Sequence, residues 1–211
     1  MPRLPSALAL LLVALPANLA GGAPPPSAAA TAYEGAPESA RRTCERFNDS
    51  GTYADALPFC RAAVALLRAA ETPDSGDLGR VLTSLGLALE MTGDRNAAEA
   101  SYREALALYR SLGRPAQEAL VLSNLAALAI GGGDYGAALA WLAEEEAVTR
   151  RALAAGDDSW APAELEYVWM NRSVALEQLG AYTEALAQIR PLANRSLAEG
   201  AGGPATRESA A

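Results

Sequence analysis

The chain contains no lysine and no histidine, so all seventeen of its basic side chains are arginine. Without histidine it lacks the side chain that most readily exchanges a proton near neutral pH. Without lysine it can form no Schiff base, and it lacks the anchor of a phosphate-binding P-loop. Carboxylate-only hydrolysis by a pair such as Glu164 and Glu166 is disfavoured, because two residues so spaced on one helix point apart. We therefore predict a protein that is not an enzyme, with no catalytic residue, no metal site and no cofactor.

Aromatic and β-branched residues are also scarce. Among 211 residues there are two phenylalanines and seven tyrosines, and most of the apolar content is alanine and leucine. This composition favours helices over sheets. The net charge of −8 would repel phosphate backbones and anionic lipid headgroups. Binding to nucleic acid or to a membrane surface is therefore not expected.

The amino-terminal residues 1–20 have the pattern of a secretory signal peptide. A positive start at Arg3 precedes an apolar run, and small residues follow it up to Ala20. We expect cleavage there and export to the periplasm or the medium, with residues 21–35 as a flexible spacer rich in proline and alanine. The alternative is an uncleaved signal that tethers the protein to the membrane, although the run is shorter than the ~20 residues that a bilayer requires.

A glycine recurs at Gly51, Gly93, Gly133 and Gly180, and an alanine follows each of them five residues later. The intervals of 42, 40 and 47 residues are typical of an array of helix hairpins. Apolar residues at helical spacing on both sides of each glycine predict two amphipathic helices joined by a short turn.

The two cysteines of the chain flank the first of these glycines. Cys44 lies seven residues before Gly51 and Cys60 nine residues after it, where later repeats place a small residue opposite a larger one, such as Gly86 and Tyr102. Since an exported protein meets an oxidising compartment, we predict a Cys44–Cys60 disulfide across the first hairpin. The alternative is a pair of buried free thiols in a cytosolic protein.

The second unit resembles a tetratricopeptide repeat (TPR). The residues that carry the resemblance are Leu82, Leu85, Gly86, Leu89, Gly93, Asp94, Ala98, Tyr102 and Ala105. The longer period, with Asn124 in the third unit, is similar to the extended repeats of kinesin light chains. The resemblance implies an all-α fold, a right-handed superhelical solenoid of about four antiparallel helix hairpins. The repeat domain is expected at residues 36–198, with repeats at about 37–72, 77–112, 115–156 and 160–198, and a disordered tail at 199–211.

In this family the first helices of the hairpins line a concave groove that binds partner segments. The groove residues that the resemblance implies are Arg42, Ser84, Leu87, Leu120, Asn124, Ala127, Tyr167, Asn171 and Val174. In the kinesin light chain type of repeat, an asparagine at the position of Asn124 and Asn171 contacts the backbone of an extended peptide. The alternatives are that these asparagines only bond to neighbouring helices, or that Asn171 is a glycosylation acceptor. A cluster of basic side chains for acidic peptide tails is not expected, since only Arg41, Arg42 and Arg80 are candidates.

The expected function is thus that of a non-enzymatic, exported module that binds a protein or peptide, with a role in scaffolding or assembly. A largely apolar groove favours a partner with an apolar extended segment. Two alternatives stay open: a self-associating structural solenoid, which would make the protein a homo-oligomer, and an accessory subunit of an enzyme complex.

Overall fold

A computed structural model of the chain describes residues 36–70, 74–155 and 163–201. These residues form eight helices and no strand, arranged as four hairpins in chain order. The helices are α1 (Pro37–Asp49), α2 (Tyr53–Ala69), α3 (Ser75–Met91), α4 (Arg95–Ser111), α5 (Pro115–Gly132), α6 (Tyr135–Ala154), α7 (Ala163–Gln178) and α8 (Tyr182–Ala201). The predicted signal peptide 1–20, the spacer 21–35 and the tail beyond residue 201 lie outside the described residues.

The four repeat glycines all form the turns within the hairpins. Each adopts a positive φ, between 75° and 93°, which is the left-handed region that glycine enters without steric cost. In every turn the amide after the glycine donates a 2.9 Å hydrogen bond to the carbonyl five residues back. This bond satisfies a carbonyl at the end of the first helix. In the second and third hairpins, Asp94 and Asp134 also accept a bond from an amide in the first turn of the next helix.

Within a hairpin the two helices approach closely at one small residue. Gly86 of α3 faces the fully buried ring of Tyr102 in α4, and a Cβ atom at Gly86 would lie 2.5 Å from that ring. The third hairpin places Ala126 opposite Leu142 at the same positions, and both are fully buried. The predicted pairing of a small residue with a larger one therefore sets the distance between the helices.

Successive hairpins stack through one stripe of each first helix. Val81, Leu85 and Ala88 form this stripe on α3, and the equivalent buried residues of α5 are Val121, Leu125 and Leu128. On α7 the stripe consists of Val168, Arg172 and Ala175. Val168 packs against Ala126, Leu142 and Trp141 of the preceding hairpin, which shows the direction that the stripe faces.

A row of ion pairs joins the second helices along the outside of the stack. Arg68 of α2 pairs with Glu104 of α4 at 2.6 Å, and Arg110 of α4 pairs with Glu144 of α6. In both pairs the arginine lies seventeen residues after its turn glycine and the glutamate eleven after the next. The third arginine, Arg150, would meet Pro191 under this rule, and it pairs with Glu146 of its own helix at 2.6 Å instead.

Two prolines lie inside helices without ending them. Helix α8 continues through Pro191 to Ala201. Pro58 likewise lies inside α2. A proline removes one hydrogen-bond donor from the helix, and the alanines and leucines around these two positions have high helix propensity, so the helix continues on both sides.

Candidate functional site

The first helices of the hairpins form the inner side of the stack. Helix α1 contacts α3, α3 contacts α5, and α5 contacts α7, while the second helices approach one another less closely in the described parts of the chain. In a curved array the helices that lie nearer to one another are on the concave side. The surface of α1, α3, α5 and α7 is therefore the candidate site, and we call it the inner face.

Four of the predicted groove residues, one from each hairpin, occupy the same position of the repeat on this face. The structure places them in different environments. Arg42 is exposed and pairs with Glu38 at 2.6 Å. Ser84 is half-buried, and its carbonyl accepts a 2.8 Å bond from the amide of Asn48, which ties α1 to α3. Asn124 and Asn171 are half-buried. Their role toward a peptide stays a prediction.

The first hairpin makes its end of the inner face charged. The guanidinium of Arg41 donates to Glu38 at 2.5 Å and to Glu45 at 2.6 Å. Hydrogen bonds from Arg41, then Arg42, lower the pKa of Glu38 to about 2. Arg41 itself is buried and engaged by both glutamates, so it is not presented to a ligand as a basic group.

The third and fourth hairpins make the other end of the inner face apolar. Leu120 of α5 is 55% exposed, and Tyr167 of α7 is 60% exposed. Met170 and Val174 are exposed on the same side of α7, at helical spacing from Tyr167. Ala127 is exposed and Leu87 of the second hairpin is half-buried. The inner face thus changes from charged to apolar along the stack.

The three consecutive glutamates of α6 are not a uniformly solvated surface. Glu145 is buried, and Glu146 bonds to the fourth hairpin. Glu146 accepts hydrogen bonds from Arg172 at 3.0 Å and from the indole of Trp169 at 3.4 Å. Arg172 stands where α3 and α5 have a leucine, and that substitution was the one sequence signal for the contact.

The two cysteines meet inside the first hairpin. Both are fully buried, with their Cα atoms 5.0 Å apart, and their sulfur atoms are joined at 2.03 Å. They occupy the positions of Gly86 and Tyr102, so a covalent link stands where the second hairpin has a packing contact. Whether the native protein carries the bond depends on its compartment, and it stays a prediction.

In the described residues, no group of three or more histidine, cysteine, aspartate or glutamate side chains is placed to hold a metal ion. No helix found in the described ranges combines the length and the apolar character needed to span a membrane.

Comparison with known proteins supports the repeat fold. Residues 47–111 match the model of the tetratricopeptide repeat family, from the end of α1 to the end of α4. The crystal structure of BtubC (BKLC) from P. vanneervenii is similar with a TM-score of 0.70 and 19% sequence identity, covering 83% of this chain and 68% of that one. A Podosopora anserina protein described as a kinesin light chain, with nearly identical TPR-like repeats, is similar with a TM-score of 0.60 and 17% identity, covering 80% and 77%.

No curated protein matches the chain. At these identities the solved structures establish the fold, and they leave the partner of this chain open. The resemblance to the TPR repeats of kinesin light chains, and the all-α solenoid that it implied, are confirmed.

Proposed function

We propose that the protein is a non-enzymatic binding module that holds an extended apolar segment of a partner protein against the inner face of its third and fourth hairpins. TPR repeats generally serve as scaffolds for protein interactions. The observation that carries the proposal is the apolar half of the inner face, where leucine, tyrosine, methionine and valine side chains are exposed on neighbouring helices. Contiguous exposed apolar side chains in a soluble protein mark interaction surfaces.

Asn124 and Asn171 supply the polar contacts that an extended segment needs. An amide side chain offers one acceptor and two donors, so it bonds to a peptide group whatever the sequence of the partner. Both asparagines lie on the inner face beside the exposed apolar residues Leu120 and Tyr167. This arrangement provides exposed apolar side chains for contact with those of the segment, and amides for the backbone between them.

The charged end contributes less to affinity. The guanidinium of Arg41 and the carboxylates of Glu38 and Glu45 already satisfy one another, so a ligand would have to displace internal hydrogen bonds to reach them. We therefore expect the bound segment to be anchored by the third and fourth hairpins, and any charged flank of the partner to extend toward the first.

The test replaces Asn124 and Asn171 together by alanine and measures partner recovery by affinity enrichment from the native extract. Loss of two amide contacts, at about 1 kcal/mol each, weakens binding by roughly tenfold or more. Asn96→Ala is the matched control, because Asn96 is exposed on a second helix. Val174→Glu, which puts a charge in the apolar half, is expected to abolish recovery. Equal recovery with all variants would reject the inner face as the binding site.

We propose further that the protein is exported and that Cys44 and Cys60 form a disulfide. The support is the leader-like sequence of residues 1–20 together with the buried, adjoining sulfur atoms. Closing this loop stabilises the first hairpin by on the order of 3 kcal/mol. Because Cys44 and Cys60 occupy the positions of Ala126 and Leu142, the pair Cys44→Ala and Cys60→Leu gives the hairpin a packing that the third hairpin already uses.

Intact mass and unfolding measurements on exported material check both points. The mature protein is expected to begin near residue 21, to lack two hydrogens at the cysteines, and to lose about 3 kcal/mol of stability on reduction. The Cys44→Ala/Cys60→Leu variant should not respond to reductant. Two free thiols in exported material would contradict the disulfide, and recovery of the intact leader in the membrane fraction would favour the tethered alternative.

A further inference from the structure

In the second and third hairpins, a side chain just after the turn reaches the next hairpin. Two residues after Gly93, the guanidinium of Arg95 donates to the carbonyl of Leu128 near the end of α5. Two residues after Gly133, the hydroxyl of Tyr135 is 3.4 Å from the side-chain oxygen of Gln178 in α7. In the first hairpin, Tyr53 and Leu57 hold the positions two and six after the glycine, and both pack against the core. These positions therefore form the surface onto which the following hairpin docks.

In the last hairpin the same surface is exposed and apolar. Tyr182, two residues after Gly180, is 63% exposed, and Leu186, six residues after it, is 61% exposed. Leu179, just before the glycine, is 54% exposed. We call Leu179, Tyr182 and Leu186 the C-terminal face. Residues 202–211 contain no large apolar side chain that could cover it.

The opposite end of the stack is polar. On α1 the stripe that faces a preceding hairpin consists of Ser39, Thr43 and Arg46, where α3 has Val81, Leu85 and Ala88. Arg46 also places its guanidinium 5.6 Å from the centre of the Phe47 ring, which shields that ring at the end of the stack. Polar outer surfaces of this kind end a repeat array. In the part of the chain that the structure describes, the two ends therefore differ, and the C-terminal face is the apolar one.

We infer that two copies of this chain pair through their C-terminal faces, about a twofold axis. Stacking the C-terminal face on the polar α1 of another copy would bury the guanidinium of Arg46 against apolar side chains, and a buried polar group left without a hydrogen bond costs about 1–3 kcal/mol. Pairing the C-terminal faces of two copies instead buries apolar surface on both of them. A twofold arrangement also closes, so it gives a dimer and no longer assembly.

The sequence of α8 is complementary to itself in this arrangement. Tyr182, Leu186 and Arg190 are exposed and follow one another at intervals of four residues, so they share one stripe of the helix. Two antiparallel copies of α8 that cross at Leu186 bring the Arg190 of each beside the Tyr182 of the other. A guanidinium over a tyrosine ring is a favourable contact, and it fixes the register of the pair.

Sedimentation of the purified protein over a range of concentrations tests the inference. The expected result is a reversible equilibrium between monomer and dimer. Leu186→Glu, and separately Arg190→Glu, should raise the dissociation constant of the dimer at least tenfold. Leu120→Glu is the matched control: it places the same charge at a similarly exposed leucine of the inner face, and it should leave the dimer intact.

Three results would overturn the inference: a monomer at every concentration, equal dissociation by Leu120→Glu, or growth beyond the dimer, which would indicate stacking of unlike ends. The readout is independent of the proposed function, since the Asn124→Ala/Asn171→Ala variant should still dimerise while it loses its partner. Circular dichroism confirms that each variant is folded. Because Leu186 and Arg190 are exposed, both substitutions are compatible with the monomer.

Discussion

At the scale of single residues, the distance between the two helices of a hairpin is set by the sizes of the side chains at two facing positions. The second hairpin pairs Gly86 with Tyr102, the third pairs Ala126 with Leu142, and the first joins its two cysteines. Tyr102 is large enough to cross the hairpin, and its hydroxyl donates to Glu90 at 3.0 Å. Burial raises the pKa of Glu90, an effect that the hydrogen bond from Tyr102 and the charge of Arg95 only partly offset.

Gly86→Ala is expected to destabilise the protein by about 2 kcal/mol, because the added methyl group would lie 2.5 Å from the fully buried ring of Tyr102. Adding Tyr102→Leu should restore most of the loss, since the double variant reproduces the Ala126 and Leu142 pair of the third hairpin. Thermal or denaturant unfolding measures both effects.

Gly136→Ala is the control for the substitution itself. Gly136 also lies in a helix, but its nearest neighbour beyond the backbone is 3.7 Å away, so alanine there should be neutral or slightly stabilising through its higher helix propensity. If Gly136→Ala destabilised the protein as much as Gly86→Ala, the contact with Tyr102 would not be the cause.

At the scale of helices, the contact between the third and fourth hairpins includes an ion pair at the position where the earlier contacts between hairpins have a leucine. Burial raises the pKa of Glu146, but hydrogen bonds from Arg150 and Trp169 and the charges of Arg150 and Arg172 outweigh it, and the net shift is downward. The carboxylate is therefore held in its charged form by partners from two hairpins.

This arrangement predicts a dependence of stability on pH. The folded-state pKa of Glu146 lies below the ordinary value of 4.5, so its contribution is complete above that value and is lost as the pH falls toward the folded pKa. Glu146→Gln should flatten the decline of the melting temperature as the pH falls below 4.5. Arg172→Leu should also flatten it, since it restores the leucine of the other repeats.

Glu177→Gln serves as the control, because Glu177 is exposed on α7 and the variant removes one carboxylate without touching the junction. An equal flattening by Glu177→Gln would mean that overall charge, and not the Glu146 contact, sets the pH dependence.

Periodic features of the sequence predicted the helices and their turns, while contacts between hairpins needed the structure. The turns were predictable because a left-handed residue at one position of each repeat is a local requirement that glycine meets. The partner of Glu146 was not, because it lies 26 residues away and becomes a neighbour only when the hairpins stack. For the same reason, the row of pairs from Arg68 to Glu144 was missed, although its spacing was present in the sequence.

At the scale of the whole molecule, the core formed by the described residues is divided unevenly. One cluster of buried residues runs without a break through the first three hairpins, from Ala40 to Val148. A second, much smaller cluster consists of Ala126, Leu142 and Val168, and Trp141 packs against both. In an array where each repeat touches only its neighbours, stability is a sum of such junctions. Among the described residues, the fourth hairpin is therefore joined to the rest through the smaller cluster, and it carries the C-terminal face and part of the apolar half of the inner face.

The uneven division of the buried core predicts which helices unfold locally first. In hydrogen exchange followed by mass spectrometry, amides of α7 and α8 should exchange faster than those of α3 to α5, because opening the fourth hairpin breaks only the smaller cluster. Val168→Ala should speed exchange in α7 and α8 alone, while Val121→Ala, at the same position of α5, should affect both neighbouring hairpins.

Raising the protein concentration, or adding a partner that binds the inner face, should slow exchange in α7 and α8. In either case, opening the fourth hairpin would also break its contact with the second copy or with the partner. Uniform protection along the four hairpins would show instead that the stack unfolds as one unit. Binding would then have no weakly held hairpin to stabilise.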